Sequence, residues 1–391
     1  MSKRLLYTLL LLTGVMLFTG CSTLKNTGWF SSGTVLTEPP QTIALLVPLQ
    51  GQWSGAGEAV KNGFFSAYYA DPNTGKAPNL NVYDTTQEGG VVAAYNKAIQ
   101  DGANVVVGPL NKEDVKTLIN SQHLSVPTLA LNMLDDDSHT QGNLFQYGLS
   151  PIDEGQQAAT KMINDGHRRI LTITPQSAWG NSINQAFSQS WQSQDGVIVG
   201  TLSYNDQTNL TAAVGQLLNF KQSKKPDPKH PGRMLNLHDR REDFDAVFLV
   251  ASPEKAMLIR PLLIFYYAGN IPVYSISSIY TGQVSANRST DLDGIRFCDM
   301  PWVLETTLNI TAARDNAEQL WPVSFSQNPK LYAMGIDAYT IVNRLNEFNS
   351  SSQYRVPGMT GLLSMNHRVI YRELDWALFE GGAPQLISVP Q

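Results

Sequence analysis

The sequence predicts an α/β protein of two lobes, each a mainly parallel sheet flanked by helices. Three observations predict it. Short β-branched runs alternate with amphipathic stretches along most of the chain, an order that needs crossover connections and so a parallel sheet. The strand runs are apolar throughout, as in sheets covered on both faces. The length, 391 residues, is too great for one compact core.

The first unit begins with TIALLVPL at 42–49, a buried strand by composition. A helix follows from about Gly57 to Ala70, with Val60, Phe64 and Ala67/Tyr68 on one face. Next come a strand at 79–85, a helix over 90–101 and the strand VVVGPL at 105–110. A helix over 111–122, striped by Val115, Leu118 and Ile119, leads to the strand PTLALN at 127–132. A second unit repeats the pattern. Its strands are 144–149, 169–175, 196–204 and 245–251, and its helices are 153–165, 179–192 and 209–220. Lys255–Ala268 is apolar almost all round, carries Pro261 and is expected to be a buried helix, kinked or begun at that proline. Strands at 272–277 and 294–301, a helical stretch over 329–348 and short strands after Gly361 complete the chain. Two such units with returning segments fit a type I periplasmic-binding-protein architecture, in which the chain crosses between lobes about three times. The expected division is lobe 1 at 42–148 plus about 276–327, and lobe 2 at 149–275 plus about 328–391. Ligands of such sheets lie outside the carboxyl ends of the strands, so the cleft between the lobes is the expected pocket.

The N-terminus speaks to location. Lys3 and Arg4 precede an apolar run, Leu5 to Phe18, too short to span a bilayer comfortably. Residues 1–20 are read as a signal peptide. The run ends in Phe18-Thr19-Gly20-Cys21, which resembles a bacterial lipobox and marks Cys21 for lipidation. Phe18 stands where such boxes usually carry Leu. Ser22, in place of an inner-membrane-retaining Asp, points to the inner leaflet of the outer membrane, with the body in the periplasm. Several acyl chains on one cysteine make a stable anchor. Residues 22–41 are rich in Ser, Thr, Gly and Pro and read as a linker, with a reach of at most about 70 Å. Cys298 is the only other cysteine, so no intramolecular disulfide is expected once Cys21 is lipidated. Loss of residues 1–20 removes Lys3 and Arg4 and takes the net charge from −5 to −7. That balance argues against general nucleic-acid binding.

Enzyme motifs are lacking. Gly51-Gln52-Trp53-Ser54-Gly55 does not have G-x-S-x-G spacing. Val60 stands where a dinucleotide loop needs its third glycine after Gly55 and Gly57. There is no P-loop and no H-E-x-x-H, and no cofactor is expected. His230 and His238 have no third ligand at metal-site spacing, and the acidic run Asp135–Asp137 beside His139 lacks the pattern of a calcium loop. The cleft candidates are Gln52, Trp53 and Ser54 after the first strand, Asn132 at the end of the fourth, and Ser177, Trp179 and Gly180 before a helix N-terminus, where free N–H groups favour anions. Trp53 and Trp179 either form apolar walls of the cleft or simply pack at the lobe interface. Asp337, in GIDAY, is expected to be structural. Outside the cleft, Lys221 to Arg241 holds Lys221, Lys224, Lys225, Lys229, Arg233, Arg240 and Arg241 against Asp227 and Asp239. Pro226, Pro228 and Pro231 mark it as an exposed loop. Such a basic patch either steers a partner or touches anionic lipid or glycan, or is a solvated insertion with no partner.

Several segments in fixed order carry a family resemblance: PLQGQWSGAGEAVKNGFFSAYY at 48–69, VVVGPLNKEDVKTL at 105–118, the run 240–280, DLDGIRFCDMPW at 291–302, MGIDAY at 334–339, GMTGLLSMN at 358–366 and IYRELDWALFEGGAP at 370–384. Over 42–390 the chain resembles the LpoA/LppC (YraM) lipoproteins, outer-membrane activators of a class A penicillin-binding protein. The resemblance implies a regulator, not a catalyst, that contacts a regulatory region of a bifunctional peptidoglycan synthase and promotes its transpeptidase activity. Peptidoglycan itself is a further implied contact. Longer members carry a helical-repeat domain where only residues 22–41 stand here. The competing expectation is a solute-binding lipoprotein for a small amide or amino acid, favoured by a roomy polar cleft. A narrow cleft filled by side chains favours a partner-binding scaffold. A cell-wall hydrolase has no nucleophile–base or metal constellation to support it.

Overall fold

The computed structural model describes residues 39–72, 77–134, 142–230, 232–282, 290–305 and 307–387. The signal peptide, Cys21, most of the linker, Asp135–Asp137 and His139 lie outside the described residues.

The chain runs β1 (Thr42–Val47), α1 (Ser54–Ala70), β2 (Asn79–Asp84), α2 (Gly90–Gln100), β3 (Val105–Val107), α3 (Lys112–Ser121), β4 (Thr128–Ala130) and β5 (Leu144–Tyr147). It continues with α4 (Pro151–Asn164), β6 (Arg169–Pro175), α5 (Ala178–Gln192), β7 (Val197–Tyr204), α6 (Leu210–Leu217), the hairpin β8 (Lys221–Pro226) and β9 (Met234–Asp239), β10 (Ala246–Leu249), α7 (Pro253–Phe265) and β11 (Val273–Ser275). The last part is β12 (Ile295–Asp299), α8 (Pro301–Leu304), α9 (Leu308–Leu320), α10 (Pro322–Gln327), α11 (Pro329–Asn343), α12 (Leu345–Ser350), β13 (Val356–Pro357), β14 (Leu362–Asn366), β15 (Val369–Glu373), β16 (Asp375–Glu380) and β17 (Ala383–Leu386).

Two large sheets result. The first has the order β13-β14-β15-β5-β4-β3-β1-β2 and the second β17-β16-β12-β11-β10-β6-β7. The first contains six parallel strands, counting β15 on β5, and the second five, with the same winding: the first strand of the unit sits between its second and third. Each therefore has a switch point at the carboxyl end of its first strand, β1 or β6. Antiparallel returns cover one edge of each sheet, β14 against β15 in one and β16 against β12 in the other.

Burial explains the layers. In the first sheet Ile43, Leu45 and Val47 meet Val60 and Phe64 of α1 and Met334, Ala338 and Ile341 of α11. The alternate residues Ala44 and Leu46 meet α2 and α3 through Val91, Ala94, Val115 and Leu118. Strand residues of alternating direction thus each find an apolar layer. Helices α1 and α11 approach closely because glycine faces backbone: a Cβ on Gly63 would lie 1.9 Å from the carbonyl oxygen of Tyr332. In the second lobe Phe187 of α5 stacks on Phe248 of β10 with centroids 3.8 Å apart. Cys298 is fully buried there, and burial pushes its thiol well above the ordinary range.

Three expectations need correction. Residues 276–327 do not belong to the first lobe as a block, because β12 pairs with β11 and β16 in the second sheet. Residues 328–391 do not belong to the second lobe as a block either: α11 packs on α1, and β13–β15 join the first sheet. The crossings fall at 148–150, within 300–328 and at Leu374. Second, α7 has a buried side carrying Ala256, Ile259 and Leu263, but Leu258, Ile264 and Phe265 face solvent. Third, Lys221–Arg241 is a two-stranded antiparallel hairpin rather than a loop.

Candidate functional site

The carboxyl ends of the strands meet between the lobes around a cavity of about 500 Å³, lined by Leu149, Glu154, Trp179, Ser277, Tyr280 and Lys330 among others. Trp179, just beyond the switch point of the second sheet, lines this cavity and is 43% exposed. Trp53 is 53% exposed in the 3-10 turn Gly51–Trp53 after β1, beside Gln52 and Ser54, and none of the three lines the cavity.

The other expected cleft groups are already engaged. Asn132 donates its amide to the carbonyl of Leu110 at 3.0 Å and accepts from Met133 N–H at 3.0 Å, so it ties two loops together. Ser177 caps α5, its Oγ accepting the Gly180 N–H at 3.1 Å. That N–H is therefore not free for an anion. Gly180 is required for packing: a Cβ there would lie 2.2 Å from the carbonyl oxygen of Pro175. The loop after β1 is organised by Asp84, whose carboxylate accepts from Leu49 N–H at 2.9 Å. Burial pulls its affinity for a proton up, but bonds from Thr86, Leu49 and Gln87 outweigh that and hold it well below the usual carboxylate range.

Residues that sequence reasoning missed tie the cleft across. Lys330, at the start of α11, reaches across to the second lobe. Its ammonium donates to the carbonyls of Ser277 at 3.0 Å and Tyr280 at 3.1 Å, and to Asp299 Oδ2 at 2.7 Å. Asp299 ends β12 and is 1% exposed. Burial raises its carboxyl to about 6 against the pull of Lys330. A second link lies beside the first. Glu154 of α4 accepts Ser277 N–H at 3.1 Å and faces Arg372 of β15 at 3.5 Å. Arg372 also donates to the carbonyls of Gly148 and Thr360, each at 3.2 Å. Asp337 extends this network, accepting from Met359 N–H at 2.8 Å and Thr360 N–H at 2.7 Å. It holds a strap of backbone, as its expected structural role requires. Every group here is satisfied by another part of the chain, which costs less than leaving buried charge unpaired. The Thr360 hydroxyl donates to Asp337 Oδ2 at 2.7 Å, and both residues are fully enclosed. A larger groove of about 1510 Å³ lies at the amino ends of the second sheet's strands, between α4 and β14–β15.

The basic segment divides in two. Lys221, Lys224, Lys225, Lys229 and Arg233 are exposed on the hairpin. Arg240 and Arg241 are not part of that patch. Arg240 donates to the carbonyl of Tyr267 at 2.8 Å, and Arg241 pairs with Asp243 at 2.7 Å while donating to Val199 O at 2.8 Å. Both guanidiniums pin the hairpin to the lobe.

With this geometry in view, comparisons place the chain. It matches the family model described as "LppC putative lipoprotein" over residues 34–382. It is 30% identical over 343 residues to the "Penicillin-binding protein activator LpoA" of Photobacterium profundum, covering 86% of this chain and 55% of that protein. The corresponding activator of Vibrio antiquarius is 29% identical over 354 residues, with 86% and 57% covered. The chain thus spans just over half the length of the curated relatives it matches. Among solved structures it is similar to the C-domain of LpoA from Haemophilus influenzae, described as a regulator of PBP1A, with a TM-score of 0.71 and 26% identity over 89% of this chain and 100% of that one. It is also similar to a protein of Chromobacterium violaceum described as a "putative branched-chain amino acid ABC transporter", with a TM-score of 0.64 and 26% identity over 86% and 99% of the two chains.

Proposed function

Because this chain belongs to the LppC lipoprotein family, we propose that it is a regulator, not a catalyst: a periplasmic lipoprotein that binds and stimulates a class A penicillin-binding protein. Lipid on Cys21 would hold it to the inner face of the outer membrane. The observation that carries this reading over solute capture is the cleft. Lys330 and Glu154 line its wall, and each is paired across the lobes, with Asp299 and Arg372. A cleft tied across by side chains favours a scaffold. Stimulation then takes the form of linkage: the lipoprotein binds an active synthase conformation more tightly than an inactive one and shifts the population toward it.

The experiment is a glycan cross-linking assay with lipid II and the organism's class A synthase, with and without this protein. Increased peptide cross-linking supports the reading. Unchanged cross-linking with no detectable binding removes it. One observation favours the second reading, capture of a small amide or amino acid: a cavity of about 500 Å³ remains beside Trp179, within the size range of small-molecule sites. Calorimetric titration with free amino acids and amides tests it, and heats at background level reject it.

A further inference from the structure

We propose that the β8–β9 hairpin and the outer face of α7 form one docking surface, occupied by an acidic, extended segment of a partner protein that adds as a strand to β8. This rests on the reading of the chain as a synthase regulator.

Helix α7 exposes an apolar stripe. Leu258 is 55% exposed, Ile264 54%, Phe265 66% and Tyr267, just past the helix end, 54%. Single exposed apolar residues are ordinary, whereas a contiguous set rimmed by charge marks an interaction site. The hairpin is fastened to the end of this stripe. The ring of His238 stacks on Tyr267 at 4.7 Å and on Phe220 at 5.9 Å, and Arg240 donates to the Tyr267 carbonyl. Met234, 52% exposed, lies on the same face of β9 as His238, and Leu237, 43% exposed, on the opposite face.

The hairpin supplies charge and strand edges. Between Lys221 and Asp239 it carries five basic residues and two acidic ones in a chain of net charge −5. Asp227 is spent within the turn, on His230 at 3.1 Å and Arg233 at 3.9 Å. Lys221, Lys224 and Lys225 have no ion-pair partner among the described residues. Strands β8 and β9 form a sheet of two, joined to neither large sheet. Its outer edges are templates for another strand. Backbone donors and acceptors along an edge are matched by an extended peptide, not by a bilayer surface. Three lysines on β8 select an acidic peptide, and an aromatic centre with a basic rim is the composition of a protein interface.

The test uses the full lipidated chain in detergent and an immobilised class A synthase, with affinity measured at about 50 and 300 mM salt. The variants are Lys221→Glu/Lys224→Glu/Lys225→Glu, Phe265→Ala, and Lys116→Glu on the first lobe as control. The triple reversal is expected to weaken binding at least about tenfold and flatten its salt dependence. Phe265→Ala is expected to weaken it about tenfold, and the control not at all. Hydrogen exchange of the β8 amides is expected to slow in the complex. Wild-type affinity in the triple variant, or unchanged exchange in β8, overturns the docking surface while leaving the activator reading standing. Absence of wild-type binding defeats the activator reading instead. Binding of the wild type to phosphatidylglycerol vesicles, with β8 exchange unaltered by the synthase, assigns the lysines to lipid and also overturns it.

Discussion

Replacing Lys330 by Met tests the lock across the cleft. Met keeps most of the side-chain volume and removes the charge, so the cost falls on Asp299 and on the two carbonyls that the ammonium bridges. Asp299 has a folded pKa of about 6 with Lys330 present. A carboxyl raised by folding stabilises the protein most below its unfolded pKa, near 3.8, and that stability is lost as pH rises through the folded value. In the wild type this loss levels off above about pH 6. Without Lys330 the folded pKa climbs further, to above about 8 for a buried carboxyl with no cation, and the loss continues. At about pH 7.5 the two proteins then differ by about 2 kcal/mol from Asp299 alone, and at about pH 5, where both hold the proton, by almost nothing. The two abandoned carbonyls add about 1–3 kcal/mol at either pH. Urea unfolding at about pH 5 and 7.5 measures both parts. Adding Asp299→Asn to Lys330→Met abolishes the pH-dependent part, because Asn does not titrate. A Lys330→Met penalty of equal size at the two pH values refutes the reasoning, since it means Asp299 is not the group that Lys330 neutralises.

Three further outcomes are expected. Gly63→Ala places a Cβ 1.9 Å from the carbonyl oxygen of Tyr332 and loses about 3 kcal/mol as α1 and α11 are forced apart, whereas Gly55→Ala, whose nearest neighbour is a side-chain atom at 3.6 Å, is neutral or stabilising by up to about 1 kcal/mol in the same denaturation assay. Asp375→Asn stabilises by about 1 kcal/mol more near pH 7.5 than near pH 5, because burial and then the neighbouring Glu305 raise the Asp375 carboxyl to about 6. Cys21→Ser abolishes acylation and moves the protein from the membrane pellet to the soluble fraction, with labelled palmitate incorporation as the direct readout.

Much of the scaffold was legible in the residues. Runs such as 42–49, 105–110 and 245–251 are strands because they are apolar on both faces, and the helices between them carry one apolar stripe. What periodicity does not encode is the identity of a strand's neighbour. Ile295–Asp299 reads equally well in either sheet, and only its pairing with β11 and β16 decides. Lys221–Pro226 was obscured for a different reason: its lysines and prolines signal solvent, and a strand exposed along its whole length has no apolar pattern. The loops after β1 and β6 stood out because they hold tryptophan and glycine at strand ends. The groups that tie the cleft across did not, since Lys330 and Asp299 lie 31 residues apart and each looks ordinary alone. The one available signal was an aspartate ending the apolar run IRFCD, where a charge needs a partner.

A cleft tied in this way bears on how such a body acts on another protein. A solute receptor must part its lobes. Here parting them separates Lys330 from Asp299 and Glu154 from Arg372. Opening breaks both pairs and their hydrogen bonds, at a free-energy cost offset in part by rehydration of the freed charges. A ligand that required opening would forfeit that free energy. A partner that docks on the outside forfeits none of it and meets α7 and the hairpin already fixed in relative position by the stacked rings of Phe220, His238 and Tyr267. Preorganisation of this kind reduces the ordering cost of association and leaves more of the contact energy to distinguish one synthase conformation from another. It follows that weakening the lock by Lys330→Met changes stability far more than it changes affinity for the synthase, while the lysine reversals on β8 do the opposite. Measuring both quantities on both variants separates the scaffold from the surface it presents, and a Lys330→Met protein that unfolds normally but no longer binds would place recognition in the cleft after all.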